Sequence, residues 1–193
     1  EVVFETNGVK WSLFVVHLKS KWTERKDDPE GAVRREKEAR AIRDYIRKTY
    51  LPESKPNHLV VGDLNDHQST PAVRRFLTVN KTQLTSAMPC ADSRGHRWTH
   101  HYARQDSYSR IDFILATPAM SERFVPNSGV VQDGPHAPVA IMAHLLLLLP
   151  SRATTGLSEL TTVPESLHPV GGVFLRRLIR AVFRSLHLLL QYL

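Results

Sequence analysis

Asp63 and Asn65 stand two residues apart behind the apolar run Leu59-Val60-Val61, with Gly62 between the run and the acid. A strand ending there hands both side chains to one side, and a glycine lets the backbone turn closely. Carboxylate and amide oxygens are the hard donors that Mg²⁺ or Mn²⁺ takes, so the pair reads as a candidate metal site. The competing reading is an Asx turn in which the two side chains only cap a loop. Three more polar groups share the placement beside an apolar run. His17 ends Leu13 to Val16, Asp112 lies inside Ile111 to Leu115, and His136 precedes Val139 to Leu145. An acid inside an apolar run is costly to bury alone. Asp112 is therefore expected to have a partner, and Arg110 or a backbone amide are the local choices. His58, His67, His100 and His101 lack metal-ligand spacing with any cysteine or carboxylate, which argues against zinc.

Five stretches occur in a fixed order: Val16-His17-Leu18-Lys19-Ser20, Gly62-Asp63-Leu64-Asn65-Asp66, Arg97-Trp98-Thr99-His100-His101, Ser109-Arg110-Ile111-Asp112-Phe113-Ile114-Leu115 and His136-Ala137-Pro138-Val139. Together they resemble the C-terminal half of the endonuclease/exonuclease/phosphatase superfamily, over roughly residues 1–145. The resemblance implies half of a DNase I-like four-layered α/β sandwich and metal-dependent hydrolysis of phosphodiester bonds. It implies that His17 donates to the scissile phosphate and that Asp63 orients the attacking water or contacts the metal. Asn65 would bind the phosphate, and Asp63 and Asn65 would be the metal ligands. Asp112 would fix the tautomer of His136 so that it can act at the phosphate or on the water. Trp98-Thr99 is expected to support the site from below. Lys19 is expected to be a solvated surface lysine, with a phosphate contact as the alternative.

The resemblance breaks at two places. The final motif is usually Ser-Asp-His, whereas here it reads Gly134-Pro135-His136, and a proline side chain offers no ligand. The early Asn and the principal metal-binding Glu do not occur before His17. The chain is thus expected to hold half a site, to expose a sheet face, and to be truncated or cut upstream. It would bind metal poorly and be inactive or nearly so by itself. Two other classes stay open: a non-catalytic remnant, and a module that binds a membrane or partner through its tail.

The elements that must position these groups can be read from pattern. Asn7-Gly8 between two apolar stretches, Glu1 to Glu5 and Lys10 to His17, is a hairpin signal. Lys21 to Gly31 is polar and reads as a loop. Ala32, Glu36, Ala39, Ile42, Ile46 and Tyr50 recur at helical spacing over Ala32 to Tyr50. The basic residues of that helix (Arg34, Arg35, Lys37, Arg40, Arg43, Arg47 and Lys48) alternate with acids and read as a solvated face. His58 to Val61 is a strand, and Thr70-Pro71 opens a short helix with Thr70 as cap. Asn80 to Gly95 is irregular. Trp98 to Ala103 and Arg110 to Ala116 read as strands joined by Arg104 to Ser109, and Val139 to Leu145 as a last strand. Alternating helices and strands give an α/β class.

With 193 residues, 41% hydrophobic and 23% charged, the chain suits one well-cored domain. No run of about eighteen apolar residues suggests a membrane span, and residues 1–14 read as strand rather than as a signal sequence. The single cysteine, Cys90, excludes an internal disulfide. The net charge of +7 weakly favours a polyanion such as nucleic acid. Part of that charge belongs to the tail. Residues 146–172 read as a linker rich in Pro, Ser, Thr and Gly. Residues 173–193 read as a basic amphipathic helix, suited to an anionic membrane surface or a partner.

Overall fold

The computed structural model describes residues 1–6, 8–50, 56–124, 129–132 and 140–143. His136, Pro135, the linker over 146–172 and the basic helix over 173–193 lie outside the described residues.

Strands β1 (Val2–Thr6) and β2 (Val9–His17) form the expected antiparallel hairpin, with Thr6 opposite Val9 and Gly8 at a positive φ of 72°. Helix α1 (Ala32–Tyr50) then returns the chain so that β3 (His58–Asp63) runs parallel to β2, as a parallel neighbour requires. Helix α2 (Pro71–Leu77) follows, and Thr70 precedes its first turn. The Thr70 hydroxyl does not cap that helix; it donates to the His67 carbonyl at 2.8 Å. Strand β4 (Thr78–Val79) precedes the stretch expected to be irregular, which itself contains two two-residue strands, β5 (Thr82–Gln83) and β6 (Ser86–Ala87).

The two long strands expected next are redrawn. Strand β7 (His100–Tyr102) folds back on β8 (Ser107–Ser109) through a turn that closes with Asp106 at φ 45°. The Thr99 amide donates to the Ser109 carbonyl at 2.9 Å, so the reversal starts earlier than the polar segment suggested. Only β9 (Asp112–Ala116) of the second run joins the main sheet. Helix α3 (Pro118–Ser121) follows, then β10 (Gly129–Gln132), absent from the sequence reading, which pairs with β11 (Ala140–Ala143).

The main sheet has the order β1-β2-β3-β9-β6. One face carries Phe14, Val16, Val60, Phe113 and Leu115, buried against Ala39 and Ile46 of α1 and Ala72, Val73 and Phe76 of α2. Side chains alternate along a strand, so the residues between them point the other way. Strand register lines these up in three rows: Leu13 with Leu59 and Ala116, Val15 with Val61 and Ile114, and His17 with Asp63 and Asp112. Two apolar rows thus end in one polar row at the end of the sheet.

Helix α1 departs from its expected pattern. Arg34 and Arg40 are exposed and paired with Glu38 and Glu36, as a solvated face should be. Arg35 is not solvated: its side chain is 1% exposed, and it faces inward one turn ahead of Ala39 while Ala32 stays exposed.

Candidate active site

The polar row depends on one glycine. Gly62 has φ 135°, and a Cβ built on it would lie 2.0 Å from the Val16 carbonyl oxygen, its register partner on β2. Only a residue without Cβ lets β2 and β3 approach here, and that approach sets His17 beside Asp63. His17 Nε2 lies 3.9 Å from Asp63 Oδ2, with the histidine half exposed and the acid largely buried. The strand end is then tied off. The Leu18 amide donates to the Asp63 carbonyl at 3.0 Å, and the Leu64 amide to the Ile111 carbonyl at 2.8 Å.

Asp63 and Asn65 form the Asx turn that was the competing reading: the Asn65 amide donates to Asp63 Oδ1 at 2.8 Å, and Asn65 takes φ 52°. The turn leaves Asp63 Oδ2 facing His17. Asn65 Nδ2 donates one hydrogen to the Leu18 carbonyl at 2.9 Å, which leaves a second hydrogen and the amide oxygen. A local cap and a presented donor set therefore coexist in the same two residues.

Asp112 is the register partner of Asp63 across β3 and β9. Like charges directly opposite one another repel. Burial raises the Asp112 carboxyl first and the Asp63 charge adds to it, against a hydrogen bond from Thr99, so its pKa is pushed up to about 7. Burial likewise raises Asp63, opposed by the Asn65 amide and by the nearby His17 and His100. Among the described residues it is Thr99 that hydrogen-bonds the Asp112 carboxyl, and not Arg110, one of the two local choices. The Arg110 guanidinium turns away to donate to the Met88 carbonyl at 2.8 Å and lies 4.9 Å over the Phe113 ring.

Thr99 is the buried support expected of the Trp98-Thr99 segment. Its Oγ1 accepts the amides of Ile111 and Asp112, each at 3.0 Å, which fixes the start of β9. Trp98 packs edge-on against Tyr108 at 5.1 Å. Lys19 is half-buried. Its Nζ folds over its own loop, donating to the Ser20 hydroxyl at 3.1 Å and to the Trp22 carbonyl. Glu38 Oε2 accepts the Lys19 amide at 2.8 Å.

His17, Asp63, Asn65 and Asp112 are therefore gathered at one end of the sheet, while His136 lies outside the described residues. Two contributors were missed. His100 acts on Asp63 electrostatically; its signal was its position directly after the threonine that anchors β9. Asp66, beside Asn65, pairs in the interior with Arg35; an acid directly after the Asp-Leu-Asn segment, facing a long basic helix, was the available sign.

Among the described residues no cluster of three or more His, Cys, Asp and Glu side chains could hold a metal. The donors present are two facing carboxylates and an amide. Such a set fits a hard divalent cation that takes one or two protein carboxylates and fills its other positions with water and substrate oxygen. The shared negative charge that raises Asp112 is one that a cation would relieve.

A family model described as the Endonuclease/Exonuclease/phosphatase family matches residues 6–133. No curated protein matches significantly. Among solved structures, a beta toxin 275-280 from Staphylococcus aureus is similar at 17% identity and a TM-score of 0.51, over 68% of this chain and 46% of that one. A sphingomyelinase C from Streptomyces griseocarneus is similar at 14% identity and a TM-score of 0.49, over 74% of this chain and 49% of that one. The chain spans about half the length of both structures.

Proposed function

We propose, from the premise that this chain belongs to the Endonuclease/Exonuclease/phosphatase family, that it carries part of a metal-dependent phosphodiesterase centre. The observation that carries the reading is the register of His17, Asp63 and Asp112 in one row at the end of a DNase I-like sheet. Two acids opposed across β3 and β9 repel one another, and a site that binds a cation would use both.

Asp63 and Asn65 would hold Mg²⁺ or Mn²⁺, with Asp112 adjoining, and the bound ion would offset charge on the developing phosphorane oxygens. The remaining steps fall to the side chains. His17 is half exposed and sits beside Asp63, so its ring can donate to a non-bridging phosphate oxygen while Asp63 balances the charge. Asp63 Oδ2, 3.9 Å from His17 Nε2, can orient a water for attack. The free Nδ2 hydrogen of Asn65 can hold the phosphate, since the other hydrogen locks the amide on Leu18. Asp112, titrating near neutrality, can carry a proton or hold the His136 ring in one tautomer.

The substrate class is a phosphodiester, with nucleic acid among the candidates that the basic charge favours. Because the chain spans about half of the structures it resembles, full activity is proposed to need the remainder of a two-sheet domain. The test is turnover of bis(p-nitrophenyl) phosphate by the protein that contains this chain, with and without EDTA. Turnover abolished by EDTA and restored by Mg²⁺ or Mn²⁺ is expected, and Asp63→Ala and His136→Ala should each lower it by about a hundredfold or more. Turnover that persists in EDTA would exclude the metal, and an unchanged rate in either variant would remove that residue from the site.

A further inference from the structure

Arg35 is a charged side chain only 1% exposed, and its ion-pair partner Asp66 is 9% exposed. A buried ion pair is poor at stabilising a fold, because removing two charges from water costs as much as their attraction returns. What this pair touches points elsewhere. Arg35 Nε donates to Asp66 Oδ2 at 3.0 Å, and Nη1 donates to the carbonyls of Glu30 at 2.7 Å and Lys19 at 3.3 Å. Lys19 lies two residues past His17, and Asp66 directly follows Asn65. One guanidinium thus joins the loop leaving β2 to the loop leaving β3, and those loops carry the proposed catalytic groups.

The surrounding bonds make the joint a closed circuit. Asn65 Nδ2 reaches back to the Leu18 carbonyl at 2.9 Å, and Glu38, one turn along α1 from Arg35, accepts the Lys19 amide at 2.8 Å. Asp66 Oδ1 accepts the His67 amide at 3.1 Å and lies 4.0 Å from Lys21 Nζ. The planar guanidinium can serve three acceptors in fixed directions, which a lysine at the same place could not.

We propose that Arg35 and Asp66 are positioning residues for the phosphodiester site: they fix the distance between the His17 strand end and the Asp63–Asn65 turn without touching substrate. This rests on the phosphodiesterase reading for its catalytic consequence, but not for its structural one. If the pair only stabilised the fold, replacing both charges by apolar groups of similar volume would leave no defect, whereas losing a positioning role would leave one.

The test is the double variant Arg35→Met/Asp66→Leu, compared with the natural sequence by thermal unfolding and amide hydrogen exchange, and by turnover in the protein that contains this chain. The unfolding midpoint should stay close to that of the natural chain. Exchange at the Leu18 and Asn65 amides, which bond to neither altered side chain, should quicken by about tenfold or more. The Val60 and Leu115 amides should keep their protection, and kcat should fall with KM unchanged. Leu18 and Asn65 amides as protected as before would overturn the proposal, and so would a raised KM with kcat intact. Should the double variant fold poorly, Arg35→Lys is expected to give the same selective loosening, and full protection in it would overturn the proposal equally. If the natural protein turns over no phosphodiester, the functional reading fails while the exchange comparison still decides the positioning claim.

Discussion

Gly62→Ala should be among the most damaging single-methyl changes in this chain. The added Cβ would lie 2.0 Å from the Val16 carbonyl oxygen, where real contacts do not fall below 3.0 Å, so β2 and β3 must part by about 1 Å. The atom it meets is backbone at the register partner, so no flexible side chain can give way. A residue forced into a sparsely populated backbone region costs about 1–3 kcal/mol, and weakening about two ladder hydrogen bonds beside the contact costs about 1 kcal/mol each. The sum is about 3–5 kcal/mol, a large part of the about 5–15 kcal/mol that holds a domain of this kind together. Gly95→Ala is the control: Gly95 also has a positive φ, 84°, but open space where its Cβ would go. It should cost only the conformational penalty, about 1–2 kcal/mol. Urea unfolding of both variants measures the difference. Near-equal midpoints would show that β2 and β3 do not approach as described, and with that the seating of His17 against Asp63 would fall.

Two further outcomes follow from the same row. Asp112 has a folded pKa of about 7 against 3.8 for the free group, so its neutral form is favoured in the fold; the stability it allows is whole below about pH 4 and is lost as pH rises toward 7. Asp112→Asn should therefore match the natural chain near pH 4 and gain on it up to pH 7 in metal-free buffer, with a ceiling of about 4 kcal/mol before solvent screening; a pH-independent difference in urea unfolding would contradict the buried, repelled carboxyl. Titration calorimetry of the 193-residue chain with Mn²⁺ should show weak binding, because among the described residues the row offers two facing carboxylates and an amide; tight binding would mean that these donors suffice.

Much of the fold was legible because its signals were local. Asn7-Gly8 marks the first hairpin, the 3.6-residue pattern marks α1 with its bounds, and the apolar runs mark β2, β3 and β9. Short strands such as β4, β5 and β6 carry two residues each, too few for any periodicity to mark them. The β7–β8 reversal was missed because it is set by Thr99 reaching forward to Ser109, a tertiary bond with no compositional mark. The gathering of His17, Asp63, Asn65 and Asp112 followed from their places at strand ends, since register does the rest. Arg35 and Asp66 escaped because an arginine among alternating charges looks solvated, and only a buried acid 31 residues away makes it an interior group. The Thr99 hydroxyl took the place of Arg110 beside Asp112 for a similar reason: the nearest charge in sequence was already drawn to Met88.

The most direct test of the proposed centre is where a divalent cation sits on this chain. Mn²⁺ added at low occupancy to the isotope-labelled chain broadens the amide resonances nearest to it, even when affinity is weak. Broadening should be greatest at Asp63, Asn65 and Asp112, extend to His17, and disappear in Asp63→Ala. Broadening centred on another acidic group, such as Asp92 beside His96, with the row of His17, Asp63 and Asp112 unaffected, would contradict a metal-dependent phosphodiester site at the end of this sheet.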